Sequence, residues 1–121
     1  MLGLNEVRND RDLLNRIDWD MTPEKAVSLY LEWGNSWNHG KYMIRSKDDV
    51  AYYFVVYAWD GPPVIHLVRR STEEAVELAE IGMPPDVLAR FLEEWGGHKG
   101  LYGLTADLRA WLQKELGATV H

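Results

Sequence analysis

Residues 41–71 constrain the fold more than any other part of the chain. Three stretches there, 42–45, 50–59 and 64–70, are rich in β-branched and aromatic residues, the types that fit a pleated, half-buried surface. Between them stand Ser46-Lys47-Asp48-Asp49 and Asp60-Gly61-Pro62-Pro63, both composed of turn-forming residues. A parallel pair needs a crossover of about a dozen residues or more, so linkers this short admit only antiparallel neighbours. The expectation is a three-stranded β-meander with 50–59 in the middle.

Register follows from the turns. With 60–63 as the whole second loop, Trp59 opposes Val64, Tyr57 opposes His66 and Val55 opposes Val68. Side chains alternate between the two faces of a strand. One face then carries Met43, Val50, Tyr52, Phe54, Val56, Ala58, Ile65 and Leu67, an ordinary core face for helices. The other carries Tyr42, Ile44, Ala51, Tyr53, Val55, Tyr57, Trp59, Val64, His66, Val68 and Arg70. A sheet surface meant for water shows Lys, Glu, Thr and Ser at such positions. This second face is apolar and studded with phenols, an indole, an imidazole and a guanidinium. It needs a cover, either helices of the same chain, a partner, or a ligand.

Helical patterns flank the strands. Leu13, Leu14 and Ile17 give 9–17 a one-sided spacing, with Asn9 or Asp10 as cap. Thr22-Pro23-Glu24 is a strong helix start, with a capping hydroxyl, a residue that needs no donor and an acid at the positive end. That helix runs to about Trp33, where Gly34 suits a left-handed stop. After the strands, Ser71-x-x-Glu74 reads as a capping box for a helix ending near Gly82, and Glu73, Glu77 and Glu80 as its solvated stripe. Pro84-Pro85-Asp86 opens another helix with Val87, Leu88, Phe91, Leu92 and Trp95 on one face. Thr105 caps a last one bearing Leu108, Trp111, Leu112 and Leu116. The expected order is α-α-β-β-β-α-α-α: a single α+β domain over 1–121, a three-stranded antiparallel meander flanked by N-terminal and C-terminal helices.

Composition removes several classes of function. There is no cysteine, so disulfides, Fe–S clusters, thiolate zinc sites and cysteine nucleophiles are excluded. The four histidines show no paired metal-ligand spacing, and no metal or other cofactor is expected. A net charge of −6 opposes nucleic-acid binding, although Tyr53, Tyr57 and Arg70 share a face. No apolar run reaches membrane-spanning length and the start alternates apolar with charged residues, so a soluble cytoplasmic protein without membrane contact is expected. No Gly-x-Ser-x-Gly elbow is present, and the Gly-rich segment 96–105 has neither phosphate-loop nor dinucleotide spacing.

What stands out is six Trp and six Tyr against two Phe. Trp and Tyr join an apolar body to a polar tip and suit half-exposed surfaces and interfaces. The leading functional expectation is therefore a non-enzymatic binding or protein-interaction domain, docking a partner or a second copy of itself. Its candidate residues are Tyr42, Tyr53, Tyr57, Trp59, His66 and Arg70 on the aromatic sheet face, with Trp37 and His39 in the loop 34–41. The alternative is a small-molecule site or modest enzyme in the same region, with His66 or His39 as base and Tyr57 or Glu32 assisting.

Overall fold

The computed structural model describes residues 1–32, 50–59, 61–71, 75–95 and 99–117. In chain order the elements are α1 (Leu4–Arg8), α2 (Arg11–Arg16), α3 (Pro23–Glu32), β1 (Ala51–Tyr57), β2 (Val64–Arg70), β3 (Ala75–Gly82), α4 (Pro85–Trp95), β4 (Leu101–Tyr102) and α5 (Ala106–Glu115). The class is α+β, as the sequence indicates. The sheet, however, has four strands in the order β3-β2-β1-β4, and three helices precede it among the described residues. The expected first strand, 42–45, lies outside the described residues.

Local signals set the helix starts. Oδ1 of Asp10 accepts from the amide of Leu13 at 3.1 Å, Oγ1 of Thr22 from Lys25 at 3.2 Å, and Oγ1 of Thr105 from Leu108 at 3.1 Å. Each bond satisfies a first-turn N–H that the helix itself cannot.

The β1–β2 hairpin is antiparallel, with a corrected register: Tyr57 faces Val64, Val55 faces His66 and Tyr53 faces Val68. In this register residues 58 and 59 would face Pro63 and Pro62, which have no N–H to give, so the ladder ends at Tyr57 and Val64, and Ala58 turns its backbone to Gly100 on the other side (2.9 and 3.3 Å). A slip of two residues preserves parity, so the division into faces holds for the paired residues of β1 and β2. Phe54, Val56, Ile65 and Leu67 form one core with Val7, Leu13, Leu14, Val87, Phe91, Leu108, Leu112 and Leu116. Tyr53, Val55 and Val68 form a second core with Ala26 and Leu29 of α3. Among the described residues helices thus pack on both sides of the sheet, with α3 on the aromatic face.

The helix expected to end near Gly82 is instead the strand β3, paired antiparallel with β2. Its register shifts between Leu67 and Val68: Leu67 pairs with Ala79 but Val68 with Glu77, leaving Leu78 as an extra, bulged residue. The bulge resets the alternation, so Glu77 and Glu80 fall on the same face although three apart. That spacing is also the signature of one side of a helix, which is why the sequence pattern reads as helical there. Leu2 closes part of the outer edge of β3, donating to the carbonyl of Leu78 and accepting from Glu80, both at 2.9 Å.

Candidate functional site

Of the candidate residues on the aromatic face, the structure buries three. Tyr53 is 1 % exposed beneath α3, His66 5 % and Arg70 8 %. Arg70 directs Nε to the carbonyl of Leu29 at 3.0 Å, in the last described turn of α3. Tyr57 is half-buried and stacks on His66, ring centroids 5.2 Å apart. Trp59, just past the end of β1, is 49 % exposed. Trp37, His39 and Tyr42 lie outside the described residues. Of the covers open to this face, the structure shows one from the same chain: α3 lies on Tyr53 and meets Arg70.

His66 is held by the two acids that the bulge brings to its face. Nδ1 lies 3.4 Å from Oε1 of Glu77, and Nε2 3.4 Å from Oε1 of Glu80. Only the Glu80 contact has hydrogen-bond geometry. Tyr30 of α3 donates its hydroxyl to the same Glu77 oxygen at 2.5 Å. Burial first, then the carboxylate that accepts its proton, pushes the Tyr30 phenol well above its ordinary value. This chain of polar groups straps α3 to the edge strand. The neighbouring cavity is lined by Tyr30 and Glu77 but does not reach the imidazole.

A second cavity lies at the outer edge of β1, with a volume of about 290 Å³. Its floor is apolar, from Tyr53, Phe54, Ala26 and Leu104, and its rim carries Asp18, Asp20, Thr22, Thr105 and Arg109. Three segments frame it beside Tyr53 and Phe54 of β1, the first two of them continuous in sequence. The first is pinned to β1 by the amide of Asp18, which donates to the carbonyl of Tyr52 at 2.8 Å. Asp18 Oδ1 in turn accepts from the amide of Asp20 at 3.0 Å, an Asx turn that holds Trp19 over the Phe54 ring (centroids 5.3 Å apart). The second is the start of α3. The third follows β4, where the chain turns away from β1 into α5.

Gly103 makes that divergence possible. A Cβ at this position would sit 2.3 Å from Cα of Pro23, so only glycine lets the strand pass the first turn of α3. Arg109 closes the rim, with Nη1 3.4 Å from the carbonyl oxygen of Trp19. Both α3 and α5 begin at this cavity, so the partial positive charge of two helix N-termini is set beside two carboxylates and a guanidinium.

In the sequence Thr22 and Thr105 stand out only as helix caps, and Asp18, Trp19, Asp20 and Arg109 carry no signal of a site. The caps marked where two helices start; nothing in the sequence showed that the two starts meet. Among the described residues no group of three His, Asp or Glu is placed to hold a metal ion, and no helix is long and apolar enough to cross a membrane. No known family matches the chain, and no curated protein or solved structure is similar to it.

Proposed function

We propose that the protein is a small binding domain that holds a small molecule in the cavity between residues 18–23, β1 and the start of α5. The observation that carries this reading is the form of the cavity. An apolar floor that ends in a few convergent polar groups is the usual build of a ligand site, and about 290 Å³ is the size of a small metabolite rather than of a macromolecular contact. The tyrosine at position 53 keeps a binding role here, as part of the floor.

The test is titration of the labelled protein, followed by NMR, with indole, benzyl alcohol, glycine, acetamide and acetate, together with its solution mass. The expected result is a monomer in which at least one compound at millimolar concentration shifts Trp19, Phe54 and Arg109, and in which Ala106→Phe on the exposed rim abolishes the shifts. Silence of all three residues towards the whole panel overturns the reading.

The docking reading retains one observation in its favour, the exposed indole of Trp59, two residues past the half-buried Tyr57 that ends β1. In that case light scattering gives a concentration-dependent mass, and Trp59→Ser abolishes the association.

A further inference from the structure

We propose that the occupant of this cavity is a short peptide-like amide, held by the main chain of Phe54 as an added piece of β-strand. The inference rests on the cavity reading above and names its ligand class.

It comes from accounting for the outer edge of β1. Backbone groups alternate along a strand, and every second residue turns its N–H and C=O to the same edge. Tyr52 turns its carbonyl outward to Asp18, and Ala58 exchanges two bonds with Gly100. Val56, between them, faces Tyr102 of β4. The pairing of β1 with β2 runs from Ala51 to Tyr57 without a register shift, so the alternation is unbroken. Phe54 must therefore present its N–H and C=O to the same outer edge. The next partner in the β4 register would be Leu104, but the chain has already left the ladder at Gly103. Among the described residues neither group of Phe54 finds a backbone partner there, and Phe54 is one of the residues that line the cavity along this edge.

A buried main-chain pair of this kind is costly to leave unbonded. What satisfies both groups at once is a second extended main chain, donating to the Phe54 carbonyl and accepting from its N–H, as in strand addition. The gap sets the length. From Tyr52 to Val56 is about 13 Å at the usual rise per residue, and both ends are closed, by Asp18 on one side and β4 on the other. One or two residues fit; a continuous strand does not. The ligand is thus a free dipeptide-sized amide, and a longer partner segment is excluded by the ends of the gap.

The experiment compares N-acetylalanine N-methylamide with O-acetyl-lactic acid N-methylamide, in which an ester oxygen replaces the N–H that would donate to Phe54, and with benzyl alcohol as an apolar probe. The expected result is that the amide binds roughly tenfold tighter than the ester, the loss of one buried hydrogen bond. It also slows exchange of the Phe54 amide proton, and Ala106→Phe removes both effects. Equal binding of amide and ester, or binding of benzyl alcohol alone, with shifts at Trp19 and Arg109, overturns the amide assignment and leaves the cavity reading standing. No perturbation at the cavity by any of the three overturns the amide assignment, and silence of the earlier panel as well overturns the cavity reading with it.

Discussion

The hydroxyl of Tyr30 donates to Oε1 of Glu77, joining the helix that roofs the aromatic face to the edge strand of the same sheet. The pH dependence of the fold follows from it. The folded chain holds the Tyr30 proton more tightly than the unfolded chain, whose phenols ionise near pH 10. Between that pH and the raised folded value, the native state binds more protons than the unfolded state, so stability falls as pH rises. Below about pH 9 the same group contributes no slope. Urea midpoints at about pH 8 and pH 10.5 therefore differ more for the native sequence than for Tyr30→Phe. At the lower pH the substitution costs about 1 kcal/mol, the net worth of a half-exposed hydrogen bond. An unchanged alkaline slope in Tyr30→Phe would refute the tie.

The bulge at Leu78 makes a second prediction. Leu2 donates to the carbonyl of that residue and accepts from Glu80, a two-bond patch on an otherwise lateral edge. Leu2→Pro removes the donor and leaves the acceptor. The expected outcome is a loss of about 1 kcal/mol and faster exchange of the Glu80 amide, with amides of β1 unaffected. Equal acceleration throughout the sheet would show that the edge has no local role.

Close approach at Gly103 gives a third. Gly103→Ala would bring a methyl group within 2.3 Å of the Pro23 backbone, where neither side is a flexible side chain able to give way. Destabilisation of about 1–3 kcal/mol is expected from overpacking. Gly82→Ala, with nothing within 4 Å of its added methyl, is the control and should be close to neutral. Equal effects of the two would mean that the passage at Pro23 is not tight.

The fold was legible where chemistry is local. Hydroxyl and carboxylate caps at Asp10, Thr22 and Thr105 and the β-rich segment around Val55 and Ile65 depend on residues close in sequence. The two-sided character of the sheet was legible too, because parity survives a slip of two residues. β3 was misread because an inserted residue at Leu78 gives a strand the acid spacing of a helix, and only pairing with β2 decides between them. The cavity was invisible for a different reason. Asp18, Phe54 and Arg109 are brought together by the divergence of β4 at Gly103, a long-range event with no local signature.

The same divergence leads to a prediction for the unliganded protein. In β1, Tyr53 and Val55 direct their backbone to β2, while the alternation turns that of Phe54 to the outer edge. All three side chains are buried, so a difference in amide exchange cannot come from side-chain exposure. Exchange follows the bonding and local opening of each amide. The Phe54 proton is therefore expected to exchange at least tenfold faster than those of Tyr53 and Val55, where a bond in each case must break first. Exchange of all three at one rate, as in a strand paired on both edges, would mean that the outer edge of β1 is already satisfied and that the cavity has no main-chain site to offer.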